Sequence, residues 1–149
     1  MKQLGTHLVV DAWQCPGELL NDPERIRRAI LDAIEAGEAT LIDICVHQFS
    51  PHGVTATATL AESHIAIHTW PEYGYFAADL FFCGRGNPRR AIEVLQNELQ
   101  AQKVKLTEFT RGFQPDANFS EDFAVNAMPK PLSNKLVNQM QEAASLARG

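Results

Sequence analysis

The chain is predicted to be an α+β protein: a two-layer α/β sandwich with one mainly antiparallel sheet covered on one face by helices. Three features predict it. Six stretches read as strands, and the connections between the central four are of hairpin length, which implies antiparallel pairing. Two stretches read as amphipathic helices, each opened by an Asx–Pro pair. The run Val54-Thr55-Ala56-Thr57-Ala58-Thr59-Leu60 alternates cleanly, with threonines on one face and aliphatic residues on the other.

In chain order, Leu4 to Trp13 reads as a strand ended by Cys15-Pro16-Gly17. Asp22 caps a helix with Pro23 in its first position, where a missing N–H costs nothing. Ile26, Ala29, Ile30, Ala33 and Ile34 form its apolar stripe, and Gly37 stops it. Thr40 to Phe49 is rich in β-branched residues and reads as the second strand; the turn Ser50-Pro51-His52-Gly53 leads into the alternating third. Two further β runs follow, joined by Pro71-Glu72-Tyr73-Gly74. Asn87-Pro88 opens the second helix, with Ile92, Leu95 and Leu99 on its buried side, and Lys103 to Arg111 is the last strand. The domain is expected to span residues 1–113. The extension, 114–149, reads as a linker or extended wrap with three prolines over 114–131, then a helix from Ser133 to Arg148.

Composition bounds the function. An apolar fraction of 45% and a charged fraction of 21% over 149 residues fit one globular domain. The formal charge of −5 argues against a nucleic-acid binder that relies on a basic surface. No apolar run approaches the length of about 18 residues needed for a membrane span. The N-terminus lacks a signal peptide's apolar centre, and three cysteines without a C-x-x-C pair fit free thiols, so a cytoplasmic location is expected.

The chemistry concentrates in LAESHIAIHTWPEYGYFAADLFFCG, Leu60 to Gly84, where Glu62, Ser63, His64, His68 and Cys83 interrupt apolar strands. His64 and His68 have the i, i+4 spacing of a helical metal pair, but four strand residues span about 13 Å, too far for one ion. Adding Asp79 or Cys83 does not repair the mismatch, and no metal is expected. Ala61-Glu62-Ser63-His64-Ile65 lacks the glycines of a nucleophile elbow. A Cys83 nucleophile with His68 and Asp79 is geometrically open, but no spacing demands it. Gly84-Arg85-Gly86-Asn87-Pro88 reads as a turn plus helix cap. Taken singly, Ser63 fits a turn residue, His68 a core histidine, Cys83 a core thiol and Glu62 a solvated acid. Taken together, they are not explained that way.

Glu62-Ser63-His64, then Ile67-His68-Thr69-Trp70-Pro71-Glu72-Tyr73-Gly74-Tyr75, then Asp79 and Cys83-Gly84, closely resemble the core motif of the short bacterial and archaeal S-adenosylmethionine decarboxylase proenzymes, pyruvoyl-dependent enzymes of spermidine synthesis. The resemblance covers roughly residues 1–113. It implies that the Glu62–Ser63 bond cleaves itself, giving a β chain of residues 1–62 and an α chain that begins with a pyruvoyl group made from Ser63. That ketone forms a Schiff base with the substrate amine and acts as electron sink, the role pyridoxal phosphate plays elsewhere. His68 matches the processing base, as imidazole titrates near working pH. Cys83 matches the proton donor to the α-carbon. Thr55 stands where the family is expected to carry serine; it keeps the hydroxyl thought to assist processing, so cleavage is expected to persist.

Phe49, Trp70 and Glu72 are the substrate-binding candidates: aromatic faces for adenine or a sulfonium cation, and a carboxylate for the ribose hydroxyls. The same residue types also fit core aromatics and a turn acid. The resemblance further implies a dimer of αβ protomers with the active site at the subunit junction. Alternatives are a pyruvoyl-dependent decarboxylase of arginine or ornithine, and an inactive regulatory paralogue. Strand parity adds a constraint: Ser63 and His68, five apart, point to opposite faces unless Ser63 occupies a bend or bulge.

Overall fold

The computed structural model describes residues 3–113 and 133–148. Six strands form one sheet: β1 (Gln3–Trp13), β2 (Leu41–Gln48), β3 (Val54–Leu60), β4 (Ser63–Trp70), β5 (Tyr75–Cys83) and β6 (Lys103–Phe113). Their spatial order is β2-β3-β4-β5-β1-β6, and every neighbouring pair is antiparallel. Strands β2 to β5 are a meander, as the short connections predict. β1 enters between β5 and β6, which local sequence does not announce.

The helices are α1 (Gly17–Leu20), α2 (Pro23–Ala36), α3 (Pro88–Glu98) and α4 (Asn134–Arg148). Asp22 caps α2 by accepting the Glu24 and Arg25 N–H groups, and Asn87 caps α3 by accepting that of Arg90. The stripe Ile26, Ala29, Ile30, Ala33 and Ile34 is buried, as are Ala91, Ile92 and Leu95. These residues close over the aliphatic positions of β3 and over Leu8, Ile65, Ile67 and Leu80. On the opposite sheet face lie Thr55, Thr57, Thr59, His64, His68 and Asp79, with Phe81 beside the histidines. The result is the two-layer α+β sandwich the pattern predicts, with the four-residue α1 as an addition.

Several polar ties fix the loops that carry the site. Thr69, buried, donates from Oγ1 to the Leu20 carbonyl and accepts the Val54 N–H. Asn21 accepts the Gly53 N–H, and its carbonyl accepts from the Gln48 amide. Gly74 closes the 3₁₀ turn Pro71–Tyr73 with φ 57°, and a Cβ there would lie 2.7 Å from the Cys15 carbonyl oxygen. The turn therefore rests on backbone, which places Glu72.

The packing of α2 on α3 has one electrostatic cost. Glu98 Oε2 is buried with no hydrogen-bond partner among the described residues. Burial, then the neighbouring Asp32 carboxyl, push Glu98 up from 4.5 to about 7, against the pull of Arg25 and Arg28. A folded-state value above the unfolded one means the folded protein holds this proton more tightly. Stability is therefore lost as pH rises from about 4.5 through about 7, and the penalty is complete above that. Glu98→Gln is expected to raise Tm by about 2–4 °C near pH 8 and to change it little near pH 4.5, read by calorimetry.

The chain divides into a unit over 1–114 and another over 115–149. The linker reading of 114–131 lies outside the described residues. In the second unit Ser133 caps α4 by accepting the Leu136 N–H.

Candidate active site

A two-residue turn, Ala61–Glu62, joins β3 to β4, and Leu60 pairs directly with Ser63. Ser63 has φ 147°, a region essentially reserved for glycine, at a cost of order 1–3 kcal/mol. Its Oγ lies 3.3 Å from Cys83 Sγ, at the far end of β5. The Cys83 N–H donates to the Glu62 carbonyl oxygen at 2.8 Å. The Glu62 carboxylate accepts from the Thr40 N–H at 2.9 Å and from Thr40 Oγ1 at 3.2 Å. The Thr40 N–H chiefly holds Glu62 below the ordinary carboxylate range, with burial opposing. Serine hydroxyl, thiol and a polarised carbonyl thus converge on one peptide bond.

His68 is not with them. It pairs across the sheet with Thr55, and its Nδ1 is hydrogen-bonded to Thr55 Oγ1 at 3.0 Å. Five strand residues separate His68 from Ser63, about 16 Å along β4. The unusual φ of Ser63 does not close this gap, because β4 pairs residue by residue with β5 from Ser63 to Trp70 without a bulge. The irregularity expected at Ser63 is present as this positive φ, which carries Oγ to Cys83 Sγ, but it leaves His68 five positions along the strand. The structure has two couples instead, Ser63 with Cys83 and Thr55 with His68. His68 is exposed rather than a core histidine.

The second couple opens into a cleft of about 320 Å³, whose lining includes Phe49, His52, Trp70 and Glu72 together with Thr55 and His68. The three substrate-binding candidates are thus gathered in one place. Phe49 and Trp70 are 49% and 39% exposed, so they are wall residues and not core aromatics. Trp70 leans on Tyr75 with ring centroids 5.2 Å apart, and Phe49 meets His47 edge-on at 4.6 Å. Glu72 is held by His52, Nε2 to Oε2 2.6 Å. His52 is a residue the sequence presents only as part of a turn.

Next to Ser63, on the sheet face opposite α2 and α3, lies a cluster that spacing along one strand cannot reveal. His64 and His7 both donate from Nε2 to Asp79 Oδ2, at 2.7 and 3.1 Å. Burial works to raise Asp79, but these two bonds outweigh it and hold the carboxyl below its ordinary value. The three side chains are close enough to share a metal ion. Arg111 argues otherwise: its Nη1 donates to His7 Nδ1 at 3.1 Å, so His7 carries its proton on Nε2, the atom a metal would need bare. A ligating histidine normally donates from its other nitrogen to an acceptor. The arrangement is that of a hydrogen-bonded charge network.

Of the three thiols Cys15 is the buried one; burial pushes it up to about 11, an inert core position.

The family described as S-adenosylmethionine decarboxylase matches residues 6–112 of the chain. The S-adenosylmethionine decarboxylase proenzyme of Methanococcus maripaludis strain C7 is 45% identical over 113 residues, covering 75% of this chain and 93% of that protein. The proenzyme of the same name from Thermotoga petrophila is 40% identical over 123 residues, 82% of this chain and 95% of its own length. The crystal structure of the adenosylmethionine decarboxylase from Aquifex aeolicus superposes with a TM-score of 0.74 at 32% identity, covering 78% of this chain and 97% of its own.

Proposed function

This chain belongs to the S-adenosylmethionine decarboxylase family, and from that premise we propose that it is a self-processing carboxy-lyase that makes its own pyruvoyl group from Ser63 and decarboxylates S-adenosylmethionine, supplying an aminopropyl donor for spermidine synthesis. The observation that carries the reading is the geometry around one peptide bond. Ser63 is strained, its Oγ sits beside Cys83 Sγ, and the Glu62 carbonyl it would attack accepts the Cys83 N–H at 2.8 Å.

Cleavage then follows from these residues. Ser63 Oγ adds to the Glu62 carbonyl carbon, and the Cys83 N–H stabilises the negative charge that develops on the oxygen. The C–N bond breaks, leaving Glu62 esterified to Ser63 Oγ and the Ser63 nitrogen as a free amine. A base removes the Ser63 α-proton, and the Glu62 carboxylate departs as the leaving group. The dehydroalanine that remains takes up water and releases ammonia, which leaves a ketone. When present, that ketone supplies the electron sink needed for the charge left on the α-carbon as carbon dioxide departs.

The base is His68, and it acts from a second copy of the chain. Within one chain it lies about 16 Å from Ser63, whereas the sheet face opposite α2 and α3 carries both couples, so stacking that face on its counterpart would bring them together. A two-fold dimer brings Thr55 and His68 of one protomer to Ser63 and Cys83 of the other, and forms two sites at the junction. Thr55 hydrogen-bonds His68 and lies with it at the cleft. Phe49 and Trp70 wall that cleft for adenine and the sulfonium, and Glu72 accepts from the ribose hydroxyls. Those aromatic walls favour a nucleoside over free arginine or ornithine. The free thiols Cys15, Cys45 and Cys83 fit a reducing cytoplasm.

Intact-mass measurement on the purified protein is expected to show two fragments, residues 1–62 and 63–149, the larger with a blocked, hydride-reducible N-terminus. Carbon dioxide release is expected from S-adenosylmethionine and not from arginine or ornithine. A chain that stays whole on prolonged incubation sinks the processing reading and restores the inactive paralogue; release from arginine or ornithine alone reassigns the substrate.

A further inference from the structure

We propose that Thr40 and the Glu62 side chain form an anchor that aims the Glu62–Ser63 peptide for attack, which makes Thr40 a positioning residue of self-cleavage; the inference rests on the processing reading above. Thr40 precedes β2, and it grips the β3–β4 turn at three points. Its N–H donates to Glu62 Oε2 at 2.9 Å, its hydroxyl to Oε1 at 3.2 Å, and its carbonyl accepts the Ala61 N–H at 2.9 Å. From the other flank, the Cys83 N–H of β5 holds the Glu62 carbonyl at 2.8 Å. Sheet order makes this a two-sided hold, because β2 and β5 lie on either side of the β3–β4 hairpin.

The hold has a consequence one residue later. Ser63 sits at φ 147°, and such a conformation persists only where the surroundings over-determine it. With the side chain of Glu62 tied to Thr40, just before β2, and its carbonyl tied to β5, the peptide plane of the scissile bond is held against the swing that would relax Ser63. Released, the turn would let the carbonyl leave the Cys83 N–H and the serine return to an ordinary strand conformation. The acidic residue before the serine thereby acquires a mechanical role: a carboxylate offers two acceptor oxygens to the two Thr40 donors. The same contacts leave Glu62 below the ordinary carboxylate range, as expected of a carboxylate whose charged form is bound.

The test follows cleavage of freshly made chain by gel and intact mass, with and without hydroxylamine, which cuts an ester but not a peptide bond. Thr40→Val, which keeps shape and loses one donor, is expected to slow cleavage about tenfold. Glu62→Ala is expected to slow it at least as much, and Glu62→Ala/Thr40→Val no further, since both act through one anchor. Thr40→Ser is expected to restore the wild-type rate. Because the anchor acts before the ester forms, hydroxylamine is expected to cut no Thr40→Val chain that the water control leaves whole, whereas it is expected to cut His68→Ala, blocked after the ester. A Thr40→Val chain that cleaves at the wild-type rate overturns the inference, as does one that hydroxylamine rescues or one whose Ser counterpart stays slow. A wild-type chain that never cleaves instead overturns the processing reading itself.

Discussion

A Ser63→Ala chain and a His68→Ala chain, each uncut alone, are expected to yield cleaved product when produced together. Ser63→Ala has no attacking hydroxyl, so it stays whole. His68→Ala lacks the base proposed for the Ser63 α-proton, and loss of a general base costs about 10²–10⁴ in rate. In a mixed two-fold dimer one junction carries both defects, and the other joins the intact Ser63 of the His68→Ala chain to the intact His68 of its partner. Random assembly from equal amounts puts about half of the His68→Ala chains in such dimers, so about half are expected to be cut and none of the Ser63→Ala chains. Differently tagged chains make the cut chain identifiable by mass. Neither change removes a buried apolar group: His68 is exposed, and Ser63→Ala deletes one hydroxyl oxygen at the start of β4. Mixed dimers recovered by both tags with no cut chain would falsify action in trans. So would efficient cleavage of a chain kept monomeric, because it would require His68 to reach Ser63 across a gap the regular β4 ladder holds open.

The split between the two couples marks how far the sequence could be read. Helices were legible because their signals are local: Asp22-Pro23 and Asn87-Pro88 start α2 and α3, and apolar spacing defines their buried sides. The β3 alternation predicted its burial residue by residue. Strand parity puts Ser63 and His68 on opposite faces unless Ser63 departs from strand geometry. The departure is there, in the φ of 147° that carries Ser63 Oγ to Cys83 Sγ, but the regular ladder still holds His68 at a distance. What a single sequence cannot show is which distant strand lies alongside. His7 meets Asp79 only because β1 pairs with β5, seventy-two residues on. Thr40 meets Glu62 through the hairpin's outer flank, and His52 reaches Glu72 across two loops. Each of these partners carries an ordinary residue type at an unremarkable position, so neither period nor motif singles it out.

Cys83→Ala is expected to separate two roles that share one residue. The backbone N–H that holds the Glu62 carbonyl survives the substitution, so the chain is expected to cut itself and acquire its carbonyl. The thiol lies 3.3 Å from Ser63 Oγ, and in the proposed mechanism its task is to return a proton to the substrate's α-carbon after carbon dioxide leaves. Carbon dioxide release per carbonyl is therefore expected to fall by about 10²–10⁴, the usual worth of a positioned acid. Cys83→Ser keeps the size and a hydrogen-bond donor but offers a far weaker acid, so it is expected to remain nearer to alanine than to the wild type. Normalising turnover to carbonyl content, titrated with a hydrazine, prevents slow maturation from passing for slow chemistry. Wild-type turnover per carbonyl in Cys83→Ala would remove the thiol from the decarboxylation. A folded Cys83→Ala chain that cannot cut itself would instead assign Sγ to processing, where its contact with Ser63 Oγ already places it within reach.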